Sequence, residues 1–173
     1  MENSPDKFSC HWKNLRGTLP WTRGCLVCGE NNPDGFHLRL RVEDGFVKLD
    51  YTAKAHDVGY HDIVHGGVLM TLADEIMTWA AILEFRCVAV AAEMTTRLHG
   101  PVSAGTPLRF EARVTKANRR LALTEANVID TRDGTIVATC SGKYMPVPRG
   151  KTKSQEEDFV RHPDSIPPEA IID

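Results

Sequence analysis

The stretch that most constrains this chain is Val68-Leu-Met-Thr-Leu-Ala-Asp-Glu-Ile-Met-Thr-Trp-Ala-Ala-Ile-Leu83. It contains no glycine or proline, is rich in helix formers and is apolar on nearly every face. A helix that is apolar all round is a buried helix. This one is too short and too interrupted by charge to span a bilayer. Thr71, Asp74, Glu75 and Thr78 fall three, four and seven residues apart, so they form one polar stripe on a helix otherwise packed away. A carboxylate carried into such a helix costs on the order of several kcal/mol unless it is paired or has chemistry to perform.

Directly before the run stands Ile63-Val64-His65-Gly66-Gly67. The first N–H groups of a helix lack intrahelical acceptors, and the macrodipole adds about half a positive charge there. Gly66 and Gly67 remove side chains where those groups open, so a ligand oxygen can approach the backbone. That is the design of an oxyanion site. A donor at the helix start and a carboxylate two turns in would together suit attack on a carbonyl. The plainer alternative is a glycine loop, a capped helix and a structural ion pair. Both readings stand at this point.

With 173 residues the chain is long enough for one domain with a real core and too short for two large ones. A formal charge of -2 with mixed signs carries no nucleic-acid footprint. No apolar run is long enough for a membrane span. Met1-Glu-Asn-Ser-Pro-Asp lacks the basic and apolar regions of a signal peptide, so a cytoplasmic location is expected. Five cysteines, an odd count with no disulfide framework, fit a reducing compartment.

Residues 1–23 read as an extension that packs Trp12 and Trp21 onto the main domain with little regular structure. Cys25-Leu-Val-Cys28-Gly29 is half of a zinc site, but no second Cys-x-x-Cys follows. Cys10, His11 and His37 are the residues that could complete one. Two ordinary thiols in a turn is the favoured reading, and no metal or cofactor is expected. Residues 36–42 alternate apolar and basic, as a half-buried strand does. Asp44-Gly45 is a hairpin turn, with 46–51 as its return strand. The 52–64 loop carries His56, His61, Asp57 and Asp62 at spacings that match no ligand motif. After the helix come strands at 86–98, 108–116, 121–131 and 135–145. The expected order is two strands, one buried helix and an antiparallel meander of four. From Pro146 the chain turns polar and proline-containing, as a surface tail would.

The order of elements, with Gly59-Tyr-x-x-Ile-Val-His65-Gly-Gly-Val-Leu-x-Thr-Leu-x-Asp74-Glu75 before the meander, resembles the hotdog-fold acyl-CoA thioesterases of the phenylacetate-pathway type. The likeness covers roughly 24–147, including the Cys-x-x-Cys-Gly and Asn-Pro-x-Gly opening. It implies an α+β hotdog fold, a curved antiparallel sheet of about six strands around one central helix. The domain limits are then 1–23 extension, 24–147 hotdog domain and 148–173 tail.

The resemblance also implies an acyl-CoA thioesterase working as a homodimer, with assembly into a homotetramer left open. One subunit would supply the His-Gly-Gly loop and a helix carboxylate, often from the facing subunit, would activate water or attack the thioester. Nine positions after the motif histidine stands Asp74, with Glu75 as fallback. The two point about a hundred degrees apart, so both are not expected to face one substrate. Gly67 with Gly66 would polarise the carbonyl, and His65 would shape the loop by hydrogen bonding. Three positions depart from the family pattern. Gly59 stands where some members have asparagine, and Asp62 where a small residue is common. Leu98-His99-Gly100-Pro101 replaces aromatic-x-Arg-Pro. Arg97, His99, Arg119 and Arg120, with Lys116, are then the candidates for substrate contacts. The alternative from another class is a non-catalytic hotdog module that binds acyl-CoA or a related ligand.

Overall fold

In a computed structural model, the chain is described over residues 12–148, 150–151 and 156–172. The expected buried helix is present as α1, Gly66–Phe85. It begins two residues before the apolar run, so both motif glycines are its first residues. His65 is the N-cap, with extended backbone, and Arg86 ends the helix in the left-handed conformation, its N–H bonded to Ile82 O. Leu69, Leu72, Ala73, Ile76, Met77, Trp79 and Ala80 are buried on successive faces, as a helix apolar all round requires.

The strands are β1 Gly17–Thr18, β2 Arg41–Glu43, β3 Phe46–Thr52, β4 Val58–Tyr60, β5 Ile63–Val64, β6 Ala89–Leu98, β7 Pro107–Asn118, β8 Leu121–Asp130 and β9 Ile136–Pro146. A seven-stranded sheet runs β1-β2-β3-β7-β8-β9-β6, and β4-β5 form a separate hairpin. The large sheet is antiparallel throughout and lies against α1. Its inner residues alternate with outer ones at period two: Val47, Leu49 and Tyr51 on β3, Leu108, Phe110 and Ala112 on β7, Ala126 and Val128 on β8.

Asp44 and Gly45 both adopt positive φ, at 54° and 77°, and Glu43 pairs with Phe46. That is the two-residue turn an Asp-Gly pair favours. The first expected strand is shorter than its alternation suggests. Residues 36–40 bond instead to the preceding loop, Phe36 N to Leu26 O at 2.8 Å and Leu38 N to Val27 O at 2.9 Å. The expected meander of four is three strands. β6 pairs with β9, not with β7, because the 99–106 connection carries the chain to the far side of the sheet. An edge strand then results, with Val90 and Leu98 50% and 49% exposed.

Trp12, Leu19, Trp21, Val27 and Cys28 join the core although their segment has little regular structure. The polar C-terminal stretch runs back along it. Val160 N bonds Trp21 O and Ile166 N bonds Thr18 O, both at 2.8 Å, and Phe159 and Ile171 are buried. Among the described residues, no helix is long and apolar enough to cross a membrane.

Candidate active site at the start of the central helix

His65 is built into the start of α1 by its neighbours. Its N–H donates to Asp57 O at 2.8 Å, and its ring Nδ1 accepts the Gly67 N–H at 2.9 Å. Asp57 is itself buried, and its carboxylate takes the Tyr51 hydroxyl and the Lys54 N–H, the latter at 2.6 Å. The Asp57 carboxylate and burial both push the Tyr51 phenol above its usual range. The 53–65 loop is therefore tied to the core through the Asp57 side chain. Among the described residues its histidines do not converge with acidic groups into a donor cluster.

Two glycines here answer to close approach. A Cβ at Gly59 would lie 2.9 Å from Cδ2 of His65 and one at Gly66 2.9 Å from Cδ1 of Leu98. The Gly59 contact gives a physical reason for glycine where some relatives carry asparagine: the His65 ring occupies that space. Gly59→Ala is expected to turn the ring away and release the Gly67 N–H. Loss of that cap should lower stability by about 1 kcal/mol, read by thermal melting, and shift the Gly67 amide resonance. An unshifted amide would mean that the loop moves instead.

Asp74 lies on α1 facing β9, where its Oδ1 accepts the Tyr144 hydroxyl at 2.7 Å. Tyr144 is fully buried, and burial with the Asp74 contact holds its phenol well above the usual range. A Cβ at Gly142 would lie 2.5 Å from Cε2 of that ring, so the glycine makes room for the residue that orients Asp74. Tyr144→Phe keeps the ring and removes the hydroxyl. It is expected to lower turnover about tenfold through Asp74 positioning, with KM little changed, on the order of 1 kcal/mol for one hydrogen bond. An unchanged kcat would detach Tyr144 from the site.

Glu75 faces elsewhere. It accepts Trp79 Nε1–H at 3.2 Å and lies 3.5 and 3.6 Å from Cys25 Sγ. Burial, then the neighbouring Cys25 charge, raises its pKa to about 8. The two adjacent carboxylates thus serve different sides of the helix.

The candidates do not all meet in one chain. Gly67 and Asp74 share a helix face, but seven residues of rise separate them by about 10 Å. A single carbonyl needs both within roughly 3 Å. Leu98 turns its side chain to Gly66, so Arg97 and His99 on either side of it face the outer side of the sheet, where His99 Nε2 is 3.1 Å from Thr139 Oγ1. Arg97 lines a cavity of about 310 Å³ with Glu125, Asn127 and Thr139. Arg119 instead lines one with Glu84 and Phe85, at the opposite end of α1, and Arg120 follows it in the β7–β8 turn. On the helix, Met77 and Trp79 are core and Met70 is 38% exposed. Sequence reasoning missed Tyr144 and Tyr51. Each is an inward residue at period two on its strand, a signal that marks burial but not what the hydroxyl reaches.

One helix against a large antiparallel sheet, with a His-Gly-Gly helix start, defines a hotdog domain. Residues 61–137 match the family model of the Thioesterase superfamily. The chain has a hotdog fold and, over that stretch, is similar to that superfamily. It is similar to the PaaI protein from the phenylacetic acid degradation operon of E. coli, with 26% identity over 60% of this chain and 74% of that one, TM-score 0.57. Two further solved structures share the fold at lower identity. The smu.793 protein of Streptococcus mutans, bound to acetyl CoA, has 19% identity over 60% of this chain and 82% of that one, TM-score 0.56. The acyl-CoA hydrolase of Staphylococcus aureus, in complex with butyryl coenzyme A, has 18% identity over 61% and 65%, TM-score 0.58. No curated protein matches the sequence.

Proposed function

We propose that the protein hydrolyses an acyl-CoA thioester to the free acid and CoA. It does so as a homodimer whose site joins the Gly66-Gly67 helix start of one subunit to Asp74 of the other. The observation that carries this reading is the glycine-opened, His65-capped start of α1 beside an apolar, unpaired sheet edge. Ile63, Met70 and Leu98 are all more than a third exposed around it, apolar surface a second copy would cover. A dimer also removes the separation of about 10 Å between donor and carboxylate within one chain. The smu.793 protein's acetyl CoA and the hydrolase's butyryl coenzyme A support CoA as the thiol.

In the reaction, the Asp74 carboxylate takes a proton from water as the water oxygen attacks the thioester carbon. Alternatively it attacks that carbon itself, and water then hydrolyses the anhydride. The carbonyl oxygen becomes an oxyanion at the Gly66 and Gly67 N–H groups. The C–S bond breaks, and the thiolate leaves with the proton Asp74 took up. Gly66, as first helical residue, has no intrahelical acceptor for its N–H. Gly67 must share its N–H between His65 and the oxyanion. Arg97 and His99 are assigned to substrate contacts on the outer face of the sheet, outside the helix-start pocket. Arg119 and Arg120 lie too far along α1 to reach the same subunit's helix start.

The engaged Gly67 N–H favours the second reading, a non-catalytic module that binds an acyl-CoA. Thiol release from short, medium, long and aromatic acyl-CoAs separates the two. Turnover on any of them supports the hydrolase. A raised melting temperature with one acyl-CoA and no thiol release would move the assignment to the binding module.

A further inference from the structure

Sequence reasoning left Cys25 and Cys28 as ordinary thiols because no second pair of ligands follows them. The fold supplies a third donor from another element. The turn that carries them is tightly set. Cys25 Sγ accepts the N–H groups of Val27 and Cys28 at 3.2 and 3.3 Å, and the Gly29 N–H closes on Cys25 O at 3.0 Å. A Cβ at Gly29 would lie 2.4 Å from the Cys25 nitrogen and 2.7 Å from Arg23 O, so only glycine closes this turn. Glu75 reaches it from the middle of α1. The Cys25, Cys28 and Glu75 donor atoms all lie within 4.8 Å of one another.

We propose that Cys25 Sγ, Cys28 Sγ and the Glu75 carboxylate form a binding site for one thiophilic divalent cation of the zinc type, joining the N-terminal segment to the central helix. The spacing fits. With Zn–S near 2.3 Å and Zn–O near 2.0 Å, a tetrahedral ion sets sulfur and oxygen ligands about 3.5 Å apart. Cys25 Sγ stands 3.5 and 3.6 Å from the two Glu75 oxygens. Two thiolates select zinc-type ions over magnesium or calcium. The surrounding donors hold the ligands as an outer shell does: two backbone N–H groups on Cys25 and the Trp79 indole N–H on Glu75. Among the described residues these three are the protein ligands, and Cys10 and His11 lie outside the described residues.

The test uses the full chain, reduced and stripped with a chelator, then titrated with Co²⁺ or Zn²⁺ alone. One equivalent of Co²⁺ should bring in a thiolate-to-cobalt charge-transfer band and tetrahedral d–d bands. One Zn²⁺ per chain should survive desalting and raise the melting temperature. Cys25→Ser and Glu75→Gln should each weaken Zn²⁺ binding tenfold or more, and Cys140→Ser should not. The wild-type cobalt spectrum stands alone if a variant fails to fold. A folded, reduced chain that shows no charge-transfer band with excess Co²⁺ would overturn the site. So would a Glu75→Gln protein that binds as tightly as wild type. Loss of two titratable thiols on air oxidation, without metal uptake under reductant, would replace the site with a Cys25–Cys28 redox pair.

Discussion

Asp74→Asn is expected to lower kcat/KM for thioester hydrolysis by about a hundredfold or more, with circular dichroism and subunit mass unchanged. The substitution is close to isosteric. Asparagine keeps an oxygen that can accept the Tyr144 hydroxyl, now 2.7 Å from Asp74 Oδ1, so the residue stays anchored to β9. What it loses is the charge that can take a proton from water or attack the thioester. The fold should not register the change, since Asp74 is only half-buried. Full turnover in Asp74→Asn would move the chemistry to Glu75 or off the helix.

Mixed dimers sharpen the same prediction. Gly66→Val should abolish the helix-start half of the site, because a Cβ there already meets Leu98 at 2.9 Å. A heterodimer of Asp74→Asn with Gly66→Val rebuilds one intact site from the unmutated halves of the two chains. Co-expressing them should therefore restore turnover that neither variant has alone. A heterodimer that forms and stays inactive would return both halves to one subunit.

Trp79→Ala should have the largest effect on stability, a loss of about 3–5 kcal/mol in urea denaturation. Trp79 is buried on α1, where the C-terminal segment packs against it through Phe159. Its indole N–H bonds Glu75, and its ring meets the edge of Phe159 with centroids 5.6 Å apart. Alanine leaves a cavity and deprives a buried carboxyl of a donor. Trp79→Phe should recover much of the packing but not the hydrogen bond, so the gap between the two variants isolates the N–H. Phe159→Ala should couple to Trp79→Ala by about 0.5–1.5 kcal/mol. Strict additivity would mean that the C-terminal segment lies beside α1 without gripping it.

The coupling bears on how the tail was read. Residues after Pro146 are polar on average, and average polarity predicts a surface path. Phe159 and Ile171 are two apolar residues in that stretch, and each is buried in the core while its neighbours stay nearer the surface. Composition sums over a window, whereas burial is decided residue by residue. The same limit applied to the 86–98 stretch. Its apolar run fits a covered strand, and in the single chain it is an edge, because strand order depends on where a connection crosses.

The central helix was legible from the sequence in nearly full detail. Its faces, its polar stripe and its opening glycines follow from a period of 3.6 and from the backbone needs of a helix start. So were the Asp44-Gly45 turn and its return strand, since turn type is set by which residues tolerate positive φ. These are local properties, carried by neighbours a few residues apart. What the tertiary structure decided is long-range. Tyr144 meets Asp74 across 70 positions and Cys25 meets Glu75 across 50. No periodicity encodes either meeting. Asp74 and Glu75 are adjacent in sequence, but a hundred degrees of helix turn sends one to the sheet and the other to the cysteine turn. Only the packing of strand and loop around that helix assigns them their different partners.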